Sequence, residues 1–232
     1  MLDIIRSASR GAAEHGWLSS RHTFSFADYY NPARMGFASL RVINEDWIEA
    51  GKGFGTHPHR DMEIITYMLE GELAHQDSMG NGSVIRPGEL QRMTAGTGVL
   101  HSEINPSPDT AAHLLQIWIL PERQRLQPGY EQKYFSPQAR ANRWCLIGSR
   151  DGRDGSLTIH QDVSLYASIL DAGRELSFEL DTTRNGFLQL ARGSVDIGDD
   201  SLTAGDAVAM QQHKSFTLRA NEAAELLFFD LA

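Results

Sequence analysis

Short apolar or alternating runs recur along the chain, each closed by a turn cluster. FASLRVI (37–43), EIITYML (63–69), LLQIWIL (114–120), WCLIG (144–148), YASILD (166–171) and FLQLARG (187–193) read as strands. EAGKGFG (49–55), MGNG (79–82), RPGE (86–89), AGTG (95–98), DGRDG (151–155), IGDD (197–200) and TAGD (203–206) punctuate them with turn-forming residues. Strands of this length at such close spacing predict an all-β sandwich or barrel. Helical periodicity is weak, and PQARANRW (137–144) alone reads as a turn of helix. NPSPDT (105–110) is a loop, and PERQRLQPGYEQKYFSPQ (121–138) reads as a polar connector.

A faint repeat runs through this pattern. LEGEL (69–73) and LARGSVDI (190–197) each carry a strand into a glycine turn. RPGELQRM (86–93) and TAGDAVAM (203–210) each lead from a second glycine turn into a strand. The repeat favours two β-barrels over one large fold, and the 232-residue length accommodates both.

Composition narrows the class. Hydrophobic residues are 41% and charged residues 22%, which excludes disorder over the whole chain. A formal charge of −9 disfavours a general nucleic-acid or anionic-membrane binder. The single cysteine, Cys145, excludes an intrachain disulfide framework and a cysteine-rich zinc module; it reads as an inert core thiol. The opening MLDIIRSASRGAAEHGW lacks the apolar stretch of a secretory signal, and the apolar runs fall far short of a membrane helix. A cytoplasmic protein is expected. Charge and histidine divide unevenly. Residues 1–143 carry 14 Lys+Arg, 16 Asp+Glu and seven histidines, whereas 144–232 carry 7, 14 and two.

The chemistry concentrates in two segments. In GFGTHPHRDMEIITYMLEG (53–71), His57 and His59 are two apart and share one face of a strand. In TAGTGVLHSEINPS (94–107), His101 and Glu103 repeat that spacing. Two such strands facing each other inside a barrel would gather three imidazoles and one carboxylate. Such a set suits a divalent transition metal and leaves positions open for water or substrate. An exposed His-x-His pair alone needs no role; the second pair, behind a glycine turn in a β-rich chain, is what turns the balance.

These residues carry a family resemblance. Gly51–Gly71 resembles the first cupin motif, and Gly88–Asn105, with Gly98, His101 and Asn105, resembles the second. FGTHPHRDMEIITYMLEG, QRMTAGTGVLHSE and LLQIWI resemble segments of pirin and the bacterial pirin-like proteins. HGWLSSRHTFSFADYYNPARMGFASLRVINEDWIEAG resembles the pirin-like quercetin 2,3-dioxygenase branch. The likeness covers essentially the whole chain and is strongest over 15–120.

The resemblance implies a bicupin, all-β, of two stacked jelly-roll-like barrels with few short helices. Residues 1–130 would be the metal-binding barrel, 131–143 a connector, and 144–232 a barrel without metal. His57, His59, His101 and Glu103 would hold one divalent transition metal, Fe(II) first, with Mn, Co, Ni, Cu or Zn also fitting. Glu103 would in addition accept a proton in catalysis. Glu63, where many cupins place their glutamate ligand, would support the site or be structural; the alternative makes Glu63 the ligand and Glu103 a free base. Phe54, Met93, Gln116 and Trp118 are candidates for the substrate pocket, with plain core packing as the other reading. His22 reads as a packing or surface histidine. His160 and His213 stand too far apart to form a local ligand pair. The implied activity is opening of the heterocycle of a flavonol such as quercetin by O2, with release of CO. Its partners are a small aromatic substrate and O2, without nucleic acid or membrane. The alternatives are a metal-binding regulator acting through protein contact, or a dioxygenase for another enol or phenol.

Overall fold

The computed structural model describes residues 2–212 and 215–232. Strand accounts for 57% and helix for 4%, which makes the protein all-β. The predicted turn of helix is present as Pro137–Arg140, with Ser136 as its N-cap and proline at the first helical position. No helix among the described residues is long and apolar enough to cross a membrane.

The chain forms two compact units. One is Gly11–Tyr134 with Leu157–Gln161; the other is Phe135–Ser156 and Asp162–Ala232 with the N-terminal residues through Arg10. This departs from a plain division at 130 and 144 for reasons of strand pairing. Gly129–Tyr134, inside the expected connector, pairs with Glu89–Thr94. Leu2–Ile5 pairs with Ala207–Gln211 of the second unit.

In the first unit, a large antiparallel sheet runs in the order Gly129–Tyr134, Glu89–Thr94, Glu63–Glu70, Ala112–Ile119, Leu40–Ile48, Leu18–His22, Gly11–Glu14. A four-stranded sheet runs Gly53–His59, Val99–Ile104, Leu73–Asp77, Gly82–Ile85. Ile48, Met68 and Leu114 from the large sheet cluster with Leu73 and Ile85 from the small one, so the two sheets close over a shared core.

The second unit repeats this order. Its large sheet contains Leu2–Ile5, Ala207–Gln211, Asn185–Arg192, Ala224–Leu231, Val163–Leu170 and Cys145–Ser149. Its small sheet runs Glu175–Glu179, Ser215–Ala220, Ser194–Ile197, Asp200–Thr203. The turn glycines read as a repeat are equivalent in detail. Gly71 has φ 69° and Gly193 φ 78°, conformations that side chains disfavour. A Cβ at Gly71 would stand 2.6 Å from the Ala111 carbonyl, and one at Gly193 2.1 Å from the Ala223 carbonyl. Each glycine thus lets a turn press against the start of its unit's closing strand. Gly193→Ala should therefore cost more than about 1 kcal/mol, which a urea titration would measure.

The second unit carries aromatic residues at the strands equivalent to the two histidine strands. There Leu176 pairs with Leu218 and Phe178 with Phe216. All four belong to one apolar cluster with Phe228 and Trp144, and the interior is filled rather than ligating. His160 lies in the first unit; His213 lies outside the described residues.

Candidate metal centre

Strand geometry brings the two histidine segments together. Val99–Ile104 alternates, with Val99, His101 and Glu103 buried and Leu100 49% exposed. The pleat therefore sends His101 and Glu103 inward. The strand pairs antiparallel with Gly53–His59, and His101 lies opposite His57. Glu103 lies opposite Phe54, so Gly55 and Thr56 stand opposite Ser102 alone: a β-bulge. The extra residue reverses the pleat between Phe54 and His57, and both side chains face the same cavity. Gly53–His59 is an edge strand, which tolerates Pro58 between the two histidines.

The rings of His57, His59 and His101 lie 4.4–4.8 Å apart, centroid to centroid. One nitrogen from each falls within 4.8 Å of the others, close enough for one ion. His57 Nδ1 donates to the Gly55 carbonyl at 2.7 Å, which leaves its Nε2 lone pair bare. His101 Nε2 is buried without a hydrogen-bond partner. A buried, unpartnered nitrogen facing two more imidazoles is what a metal site shows when read from its donors alone. The set fits a divalent transition ion.

Burial sets the charge states. It pushes His59 down to about 4, helped by the neighbouring His57, and His101 down to about 3, helped by His57 and His59. Both imidazoles are neutral at pH 7, as ligation requires. Burial pushes Glu103 up to about 7, against hydrogen bonds from Gln116 and Thr66. Gln116 Nε2 donates to Glu103 Oε1 at 3.2 Å and Oε2 at 3.0 Å; Thr66 Oγ1 donates to Oε1 at 3.4 Å.

A pH dependence follows for the metal-free protein. The two lowered imidazoles contribute stability above about 6.5 that is lost as pH falls towards 4 and 3. The raised carboxyl acts oppositely: its contribution is full below about 4.5 and is lost as pH rises through about 7. Between about 4.5 and 6.5 two groups outweigh one, so the thermal midpoint should fall on acidification. His101→Asn should flatten that slope in a pH series of melts.

A cavity of about 910 Å³ opens onto this centre. His57, His59 and Glu103 line it, with Trp17, Phe26, Tyr29, Phe54 and Trp118 as aromatic walls. Of the four pocket candidates, Phe54, Gln116 and Trp118 are lining residues. Met93 is not. It is fully buried with Ile64, Ala95 and Val99, and Trp118 packs against that cluster. The expectation for Met93 is corrected to core packing.

Glu63 also moves. Sharing a face with His57 requires an unbroken strand, but the chain turns at Asp61, whose φ is 49°. Glu63 restarts a strand on the face opposite Thr66, the residue that reaches Glu103. Its Oε2 accepts from the His160 backbone N–H at 3.1 Å, and His160 Nδ1 lies 3.2 Å away. Arg92 Nε stands at 3.9 Å. Glu63 and His160 thus serve packing within the first unit. Ser102 is outside the ligand cluster, and Cys145 is half-buried with its thiol pushed up by burial.

Sequence reasoning missed several lining residues. His22 is 4% exposed but lines the cavity, not the surface. Asn44, Asp46 and Ser20 do so too; nothing in their local pattern marks them. His75, fully buried, sits 3.5 Å from His101 between the two Nδ1 atoms. Its signal was the His-x-Asp spacing at 75–77.

Comparison with known proteins decides the family. The Pirin family model matches residues 5–119, and that of the quercetinase C-terminal cupin domain matches 146–231. A quercetin 2,3-dioxygenase of Escherichia coli (strain K12) is 47% identical over 231 residues, 100% of this chain and 99% of its own. The chain belongs to the pirin family. The crystal structure of the bacterial pirin YhhW from Escherichia coli in complex with nickel(II) matches with a TM-score of 0.95 at 46% identity, covering 100% of this chain and 99% of that one. A quercetin 2,3-dioxygenase structure from Acinetobacter baumannii shares the fold at 19% identity and a TM-score of 0.80, covering 98% of this chain and 85% of that one. The bicupin architecture of the pirin family is therefore the architecture of this chain.

Proposed function

We propose that this protein is a metal-dependent dioxygenase that opens the heterocycle of a flavonol such as quercetin. The observation that carries the reading is the three-imidazole cluster and Glu103 on the wall of one aromatic-lined cavity. The relative named quercetin 2,3-dioxygenase, 47% identical over its full length, supports the substrate class. His57, His59, His101 and Glu103 are the ligands under this reading, and Fe(II) is the native metal. Mn, Co, Ni, Cu and Zn suit the same donors, and the nickel(II) complex of the similar bacterial pirin agrees with that breadth. The protein would act in the cytoplasm on a small aromatic substrate and O2.

When bound, the metal supplies Lewis acidity and an open position that lowers the pKa of a coordinating enol hydroxyl. The chain's residues do the rest. Glu103, near 7 in its metal-free state, takes up the hydroxyl proton on its carboxylate, which Thr66 holds at Oε1 and Gln116 holds across both oxygens. Trp118 and Phe54, on the cavity wall, exclude water from the centre. Trp118 Nε1 and Asn44 Oδ1 are buried without protein partners, so the wall offers the substrate one donor and one acceptor. O2 is taken up in full and one ring carbon leaves as CO.

Aerobic turnover of quercetin by metal-analysed protein tests this. Loss of the flavonol with equimolar CO is expected. No loss after loading with any of the six metals would refute it.

A further inference from the structure

Behind the histidine cluster lies a buried polar row that the proposed reaction does not use. Leu73–Asp77 pairs with Val99–Ile104, placing Asp77 opposite His101 and His75 opposite Glu103. His75 Nε2 lies 3.1 Å from Asp77 Oδ2, and His75 Nδ1 lies 3.5 Å from His101 Nδ1. Asp77 is surrounded by donors: the backbone N–H groups of Met79 and Asn81 and the Asn81 amide all point at it. It is a carboxylate and can only accept.

The proton positions then follow in order. His75 must donate from Nε2 to Asp77. A neutral imidazole carries one N–H and one lone pair, so His75 Nδ1 can only accept. His101 must therefore donate from its own Nδ1. Its remaining nitrogen, Nε2, keeps a bare lone pair; this is the buried atom without a partner.

We propose that Asp77 and His75 are positioning residues that hold His101 in the tautomer whose Nε2 can bind a metal. The proposal rests on reading His101 as a metal ligand. It also explains why His75, His101 and Glu103, whose donor atoms lie within 4.8 Å of one another, are not a second metal site. Both nitrogens of His75 are already engaged. Partners that fix a ligand's tautomer typically change metal affinity by roughly 10–100-fold when lost.

Asp77→Asn inverts the chain of donors without changing its shape. Asp77 Oδ1 accepts the Met79 N–H at 2.9 Å and the Asn81 N–H at 3.1 Å, which pins the amide oxygen of the variant there. The amide NH2 must take the Oδ2 position and donate to His75 Nε2. The Asn81 side-chain amide, 2.9 Å from Oδ2, turns over to accept from it. His75 then donates from Nδ1, and His101 must carry its proton on Nε2, the non-ligating tautomer.

The experiment has a metal-free and a metal-bound arm. Long-range proton–nitrogen NMR correlations on metal-free protein should place the His101 proton on Nδ1 in the wild type and on Nε2 in Asp77→Asn. Ni(II) affinity, from competition with a chelator, should fall roughly 10–100-fold in Asp77→Asn and in His75→Leu. His75→Gln should rescue it, because glutamine can donate to Asp77 and accept from His101. Tyr130→Phe is the structural control. Its ring lies 4.9 Å from His75, but its hydroxyl bonds Ser83 and Gln132. It should leave affinity unchanged. Circular dichroism and a thermal melt establish that each variant is folded.

The proposal is overturned by a wild-type His101 protonated at Nε2, by folded Asp77→Asn that binds Ni(II) as tightly as wild type, or by an equal loss in Tyr130→Phe. A wild type that binds no Ni(II) overturns the metal reading itself. The tautomer measurement needs no metal and separates the two failures.

Discussion

Replacing His101 with alanine is expected to strip the centre of metal and abolish quercetin turnover. His101 is the central imidazole: its ring contacts those of His57, His59 and His75. It is also the one whose free nitrogen is buried without a partner. Without it, two histidines on one edge strand and a carboxylate beyond a bulge remain. Metal affinity should fall by at least about 100-fold, the upper end for losing a mere supporting partner. Metal analysis after dialysis would read this directly. The fold should survive, because His101 contributes a neutral buried ring without a bond at Nε2. Glu63→Ala is the matching contrast. It should keep its metal while losing about 1–3 kcal/mol of stability, since it leaves the His160 backbone N–H without its acceptor and takes a carboxylate from beside Arg92. The reverse pattern would move Glu63 into the ligand set.

Glu103→Gln should separate holding the metal from moving the proton. The glutamine is nearly isosteric and can still meet Thr66 and Gln116 after amide reorientation. It lacks both charge and basicity. The kcat should fall by about 100- to 10,000-fold, the usual contribution of general-base catalysis, while metal content falls less than in His101→Ala. The metal-free variant should also be more thermostable than metal-free wild type at pH 8. Wild type then carries a buried carboxylate above its folded pKa of about 7, whereas the amide has nothing to ionise. Equal melting points at pH 8 would contradict the burial argument for Glu103.

The all-β class and the two-barrel repeat were legible in turn spacing and in paired glycines. Gly71 and Gly193 show why: a turn that presses on a closing strand admits only glycine, so the residue recurs at each repeat. The gathering of His57, His59 and His101, with Glu103 on the wall of the same cavity, was legible because period-2 spacing survives into a regular strand. Glu63 cannot be placed by carrying the parity of His57 forward, because the chain turns at Asp61. Phe54 faces the cavity through a bulge that a parity argument from His57 would have missed. The cavity walls from Ser20, His22 and Asn44 depend on which strands neighbour in the large sheet, and no local pattern encodes that order. Leu2–Ile5 pairs with a strand some two hundred residues away, which sequence periodicity cannot show.

The central claim is that metal held by the histidine cluster drives flavonol opening. Its most direct test is CO yield from quercetin against metal occupancy, titrated anaerobically and started with O2. The yield should be proportional to bound metal, zero in the metal-free protein and zero in His101→Ala. CO release that is independent of occupancy, or absent at full occupancy with every metal tried, would contradict it.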